Sequence, residues 1–452
     1  MSTPVSPWAG TQHRNSVLWV IALATLALLF DGYDLVVYGT ILPTLMADPT
    51  QLGHITAQDA GALGSYALIG VGIGALATGA IGDYLGRRKM MLISITWFST
   101  GMAATALVNS VGAFGALRLI TGVGMGGLIV TVGALVAEFA PPGRKNLYNA
   151  IVYGGFAVGG VIASVLALML RDTIGWRGLF WIGALPLVIL LPLAIVKLPE
   201  SPRWLIAHGN TELAAQISHR TGIPSPTVDE LAAERDTIEK NGYAALLTRK
   251  YIGGTALLGL TVFACLLLIF GLNTWLPKIM ENAGYNASKS LSFLIVLNGG
   301  AVVGALLASR FADRHGPQRI IAGMFGMAAI SLVVLTLPLP LPVLLIAVAI
   351  AGAGTTGTQV VIWGFVANYY MTTARAAGVA WCAGFGRLGG IFGPFVGGII
   401  LGAGLSNNIA FYIFAAVALA GMALTLLVPR TKNIARHGVP TATDSSRVPA
   451  HD

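Results

Sequence analysis

Four ionisable side chains lie in the middle of long apolar runs in this 452-residue chain: Asp31 and Asp34, within LLFDGYDLVVYG at 28–39, then Arg118 and Arg387. A charge at the centre of a membrane span costs about 2.5–3.5 kcal/mol on insertion scales, so each of the four is a functional candidate before it is a packing residue. Asp31 and Asp34 are three residues apart, which sets both on one face of a helix. The chemistry open to them is proton exchange. That needs a group able to change charge at working pH, and all seven histidines (13, 54, 208, 219, 315, 437 and 451) fall in expected loops or tails, leaving a carboxylate as the carrier. Burial disfavours an ionised carboxylate, and a neighbouring carboxylate disfavours it further. Asp34, one helical turn deeper, is the preferred proton site. The competing reading is a buried salt bridge to Arg118 that never titrates.

Arginine does not deprotonate in proteins, so Arg118 and Arg387 are fixed positive charges. The fork of Arg387 suits bidentate pairing with a carboxylate brought by a substrate; the alternative is a bond to backbone carbonyls of a neighbouring helix. Arg118 is expected to pair with an aspartate and release it for protonation. A flat substrate would need apolar walls with a few polar groups. Tyr33, Tyr38, Trp275, Trp363 and Trp381 are candidates, with Asn273, Asn298 and Gln359. Gln359 and Trp363 are four apart and share a helix face. Each of these residue types alone is more often a packing or interfacial belt residue than a ligand contact. No GxxxxGK[ST] nucleotide loop and no metal or nucleophile cluster stands out, so no cofactor, metal or catalytic residue is expected. Glycines such as those of GGFAVGG (154–160) read as close helix approach.

These side chains need elements that hold them at membrane depth. Hydrophobic residues make up 55% of the chain and charged ones 10%, against roughly 25% charged in soluble domains; mean hydropathy is +0.77. Apolar windows long enough to span hydrocarbon recur at about 17–41, 60–81, 90–109, 112–137, 147–170, 178–197, 252–277, 289–309, 320–340, 342–368, 377–402 and 409–428. The first is too long for a signal peptide, lacks a small-residue cleavage site and carries Asp31 and Asp34, so it reads as a retained span. With alternating spans and a cytoplasmic N-terminus, only Arg171, Arg177, Lys278 and Lys289 of the 27 basic residues fall outside, with Arg118 and Arg387 in the membrane. That satisfies the positive-inside rule and explains the net charge of +9 without nucleic acid. Cys265 and Cys382 lie in spans and suggest no disulfide framework.

The expected fold is an all-α membrane protein: twelve transmembrane helices in two pseudo-symmetric six-helix bundles, 1–197 and 252–428. A cytoplasmic linker at 198–251 joins them, and a polar, disordered cytoplasmic tail follows at 429–452. Within the linker, Thr227-Val-Asp-Glu230 is a capping box opening a short solvated helix, VDELAAERDTIEK. The halves repeat. GDYLGRRK (82–89) and ADRHGPQR (312–319) align Asp83 with Asp313 and Gly86 with Gly316 at an offset of 230, and the same offset carries Gly122, Gly124 and Gly127 onto Gly352, Gly354 and Gly357. Transporters built from repeats place the substrate near the midplane and rock one half against the other.

Gly79-Ala-Ile-Gly-Asp83-Tyr-Leu-Gly86-Arg87-Arg88-Lys89 resembles the signature loop of the major facilitator superfamily. Arg118, Gly122 and Gly124 resemble its fourth-helix motif, and PESPRWL (199–205) occurs in several of its branches. DGYD in the first span, WLP (275–277) and RAAGVAWCAGFGR (375–387) together resemble the aromatic acid:proton symporters, with DGYDLVVYG and AGALGSYAL (60–68) most similar to benzoate transporters. The resemblance implies that Arg118 belongs to the coupling machinery, which Asp31 and Asp34 join through their burial and shared helix face. Asp83 sits where the N-terminus of the eleventh helix should emerge, where the helix dipole favours a carboxylate; it is expected to latch the outward-open state in a network with Arg88 and Glu138, and Gly86, Arg87 and Arg375 join the gating set. Asp313 is the weaker counterpart, since Gln318 replaces a basic residue.

The expected activity is alternating-access import of a proton with an aromatic carboxylate, benzoate or a hydroxybenzoate, by a monomer in the plasma membrane with both termini cytoplasmic. One proton per monovalent anion is electroneutral; a second would add about 2.3 kcal/mol per 100 mV of membrane potential. The main rival is a proton-antiporting exporter of drugs or metabolites with the same superfamily loops.

Overall fold

The apolar windows fold into the helices that carry these charges. The computed structural model describes residues 11–141, 145–222, 246–249 and 251–429, and among them every regular element is helical. The first half contains α1 (Thr11–Ala47), α2 (Ala57–Leu85), α3 (Arg87–Thr105), α4 (Val111–Phe139), α5 (Lys145–Gly183) and α6 (Leu190–Lys197). Two short linker helices follow, α7 (Pro202–Ala207) and α8 (Thr211–Thr221). The second half contains α9 (Ile252–Asn282), α10 (Ala287–His315), α11 (Pro317–Val334), α12 (Leu341–Gly352), α13 (Thr358–Tyr369), α14 (Thr372–Gly402) and α15 (Asn407–Leu427). The helix expected at 228–240 and the tail from 430 lie outside the described residues.

Among the described residues, ten helices are long and apolar enough to cross a membrane by length and composition, with α12 and α13 forming one of them. The third and sixth expected windows are not among the ten, for different reasons. α3 opens on Arg87, Arg88 and Lys89 and is diluted by Ser and Thr. The sixth window is interrupted: α5 continues through a break at Gly175 (φ +66°), and a 3-10 turn at Leu185–Leu187, with Pro186 inside it, separates α5 from α6. A short π-helical stretch at Ala353–Gly357 joins α12 to α13; such bulges often mark functional positions.

The 230-residue offset reappears as matched packing. Gly70 backs onto the Leu119 carbonyl and Gly300 onto that of Ala349; Gly74 meets Val123 and Gly304 meets Ala353; Gly122 meets Ala67 and Gly352 meets Leu297. A methyl at any of these positions would run into the neighbouring backbone, so glycine is what permits the close crossing of these helices. Gly86 and Gly316, at φ +88° and +85°, make the same left-handed turn between α2 and α3 and between α10 and α11.

The halves meet through α1 with α9, α2 with α14, and α5 with α10. The close contacts between them fall from mid-span toward the end remote from the linker. Gly39 lies against the Asn273 carbonyl, Gly61 against that of Pro394, and Gly398 against that of Ala57. Ser65 Oγ donates to the Ile391 carbonyl at 2.7 Å. At the linker end of α2, Tyr84 is 80% exposed. This conformation is therefore sealed at the end away from the linker.

Candidate functional site

α1 and α5 cross tightly because Gly32 faces the Phe156 backbone and Gly159 faces that of Leu29. This crossing buries Asp31 and Asp34 at 1% and 0% exposure. Their surroundings differ. Arg118 Nη1 donates to Asp34 Oδ1 at 2.7 Å, with both side chains 1% exposed. The Arg118 guanidinium also lies 5.2 Å from the centroid of the Tyr38 ring, a distance at which the ring's quadrupole attracts it. Asp34 is thus held in an ion pair through one oxygen, its Oδ2 and the Arg118 Nε being buried without a hydrogen bond. Asp31 has no such partner: its Oδ1 is buried without a hydrogen bond. The charges acting on it are Arg387, from α14 in the other half, and Asp34. Arg387 is half-buried and makes no ion pair or hydrogen bond among the described residues. Tyr153 of α5, 37% exposed, interacts electrostatically with both Arg387 and Asp31. The arrangement is an anion and a cation on opposite halves, neither committed to a bond.

The expected walls separate into two groups. Tyr33 donates to the Leu179 carbonyl at 2.8 Å, Tyr38 to that of Ala60 at 2.6 Å, and Trp275 Nε1 to that of Pro394 at 2.7 Å. All three are buried, and their polar atoms tie helices together in this conformation. Asn298 donates to Asn273 Oδ1 at 2.9 Å, joining α10 to α9; the Asn298 amide lies against Gly160 of the first half and the Asn273 backbone carbonyl against Gly39. Trp381 Nε1 donates to the Thr255 carbonyl at 3.3 Å while its ring stacks on Phe385. Gln359 and Trp363 are half-buried on one face of α13 and make no hydrogen bond among the described residues. Of the polar wall candidates, these two keep free groups, as Arg387 does.

At the linker end the loop network differs from expectation in one link. Arg87, not Arg88, joins Asp83 to Glu138, through Nη1 to Asp83 Oδ1 at 3.0 Å and Nε to Glu138 Oε1 at 3.3 Å. The turn at Gly86 points successive residues in different directions. Arg88 faces α6, donating from its backbone to Glu200 Oε1 at 3.0 Å and from Nη2 to the Ile195 carbonyl at 2.6 Å. The Asp83 side chain is 73% exposed and bonds nothing on α14 among the described residues. A cavity of about 190 Å³ beside it is lined by Thr78, Asp83, Arg87 and Thr131. Asp313 and Arg375 are exposed and unbonded among the described residues. Gln318 is a functional counterpart of Arg88: its side-chain amide donates to the Thr425, Leu426 and Val428 carbonyls, closing the last helix of its half as Arg88 closes α6. Glu200 and Tyr153 are additional to the expected set. Glu200 lies inside the quoted PESPRWL motif, whereas Tyr153 carries no sequence signal beyond its place before the GGFAVGG run.

The comparisons with known proteins agree with this architecture. The sequence profile of the Major Facilitator Superfamily matches residues 24–339 and 292–448. The chain is 34% identical over 419 residues to the benzoate transport protein of Acinetobacter baylyi, covering 90% of this chain and 89% of that one. It is 32% identical over 404 residues to the gentisate transporter of Corynebacterium glutamicum, covering 88% and 85%. Among solved structures, the partially occluded inward-open xylose transporter XylE of E. coli aligns with a TM-score of 0.76 at 20% identity, over 92% of this chain and 99% of that one.

Proposed function

This chain belongs to the major facilitator superfamily, and from that premise we propose that it imports an aromatic carboxylate together with protons. It is a multi-pass membrane protein and a transporter, not an enzyme. Two similar transporters are named for benzoate and gentisate, acids that carry a carboxylate on a benzene ring. The observation that supports the reading best is the uncommitted pair, Asp31 in one half and Arg387 in the other.

The coupling follows from charge. While Asp31 is ionised, the positive charge of Arg387 already has an anion in reach. Once Asp31 takes a proton, Arg387 is left uncompensated in a low-dielectric site and binds an incoming carboxylate strongly. Proton and substrate therefore load together. In this reading Asp31 rather than Asp34 carries the proton, because Asp34 is occupied by Arg118 at 2.7 Å. Gln359 and Trp363 face the substrate, and residues 1–197 and 252–428 are the two rocking halves. With the linker cytoplasmic, the conformation described here faces inward, and Asp83 engages the start of α14 when that side closes. The protein sits in the plasma membrane with both termini cytoplasmic.

The test is uptake of labelled benzoate, 4-hydroxybenzoate and gentisate into liposomes containing the purified protein, with the outside made acidic. Accumulation of at least one acid that vanishes when the pH gradient is collapsed supports the reading. Accumulation indifferent to the gradient, or no transport of any aromatic acid, overturns it.

A further inference from the structure

Among the described residues, one aromatic ring pair joins the two halves. Phe156 of α5 and Phe270 of α9 meet across the boundary, ring centroids 6.3 Å apart and planes at 88°. This edge-to-face geometry is the favoured one for rings, whose faces are electron-rich and edges electron-poor. Each partner is tied to one of the uncommitted charges. The Phe156 carbonyl lies against Gly32, the neighbour of Asp31, and the Phe270 ring lies against Gly390, three residues beyond Arg387 on α14. Three residues of helix rise about 4.5 Å, which suits an acid whose ring is bonded directly to its carboxylate. Gly390 has no side chain to separate Phe270 from α14; a Cβ there would come within 3.0 Å of the ring. Phe270 is 7% exposed and Phe156 half-buried.

We propose that Phe156 and Phe270 are the residues that recognise the aromatic ring of the cargo, and that their mutual contact is the seal the cargo's ring breaks and replaces as the halves move. The proposal rests on the reading that the cargo is an aromatic carboxylate held by Arg387. A ring seated between the two phenylalanines offers each an edge or face equivalent to the one it leaves, so only a flat π system separates the halves without loss. A saturated ring of the same size has no quadrupole and is rejected at this point, not at the arginine.

The experiment compares uptake of benzoate and cyclohexanecarboxylate, which share the carboxylate and the ring size but not the π system. It uses liposomes containing the wild-type protein, Phe156→Leu, Phe270→Leu or Phe270→Tyr. The wild type is expected to favour benzoate. Each leucine variant should lose about three- to tenfold of that preference, through a raised KM for benzoate with cyclohexanecarboxylate little changed, while Phe270→Tyr retains it. An unchanged benzoate preference in both leucine variants, an equal loss of both substrates, or a wild type that does not discriminate overturns the proposal. Should a leucine variant fail to insert, the same two acids are compared as thermal stabilisers of wild type and Phe270→Tyr in detergent; equal stabilisation by both counts against it. A wild type that moves neither acid nor any hydroxybenzoate refutes the transport reading itself, which separates the two failures.

Discussion

Replacing Asp34 with asparagine tests whether the two aspartates have different tasks. The Asp34–Arg118 pair is 2.7 Å long with both side chains 1% exposed, so Asp34→Asn leaves a buried guanidinium without its counter-ion. Removing one partner of a buried pair costs about 3–5 kcal/mol. The Tyr38 ring 5.2 Å from Arg118 is present in both proteins and leaves that difference unchanged, a loss of roughly 3–5 kcal/mol. Asp31→Asn removes no bond, since Asp31 Oδ1 has none, and the Arg387 it leaves without an anion is only half-buried, so it should lose less stability than Asp34→Asn. The assay is thermal unfolding of detergent-purified protein, read as the surviving monodisperse fraction, for both single variants and for Asp34→Asn with Arg118→Gln. The double variant should recover most of the loss, because it no longer strands a charge. If Asp34→Asn is as stable as wild type while Asp31→Asn is not, the division of labour argued here is wrong.

Further outcomes follow from the same geometry. Arg387→Lys keeps the charge but loses the planar fork, and should raise the KM for benzoate about tenfold or more, whereas Arg387→Ala should abolish uptake; initial rates over a concentration series will show it. Gly39→Ala places a methyl into the Asn273 carbonyl and should hold the sealed end open. Cysteine labelling from that side, rising above wild type, is the expected readout, and unchanged labelling contradicts it. Gln318→Ala removes donors from three carbonyls and should lower stability by about 1 kcal/mol or more. Gln318→Arg should be tolerated, since Arg88 does the equivalent work in the first half.

Much of this was legible in the sequence because membrane insertion makes charge expensive. The four mid-span charges stood out for that reason, and the 230-residue repeat was legible as matched motifs; the structure extends it to packing partners, Gly70 with Leu119 and Gly300 with Ala349. Pairing was less legible. Asp31 and Asp34 share a face and a residue type, and only the position of α4 decides which of them receives Arg118. The choice between Arg87 and Arg88 likewise turned on the direction of one glycine turn. Tyr33, Tyr38 and Trp275 read as substrate walls because an aromatic in a span gives no hint that its polar atom is spent on a distant carbonyl. Phe156 and Phe270 were invisible for the opposite reason: a phenylalanine in an apolar run looks like any other core residue until its partner from the other half is placed. The third and sixth windows fell short as single apolar helices because a basic, hydroxyl-rich opening and a glycine-proline interruption break their apolarity and continuity.

The decisive measurement is transport by Asp31→Asn in liposomes, read in two modes on the same preparation. With labelled benzoate outside and excess unlabelled benzoate inside, exchange should persist, because a permanently neutral residue 31 leaves Arg387 free to bind and release the acid. With an inward proton gradient and no internal benzoate, accumulation should fall to the passive level. Gradient-driven accumulation that survives in Asp31→Asn would contradict proton coupling through this residue.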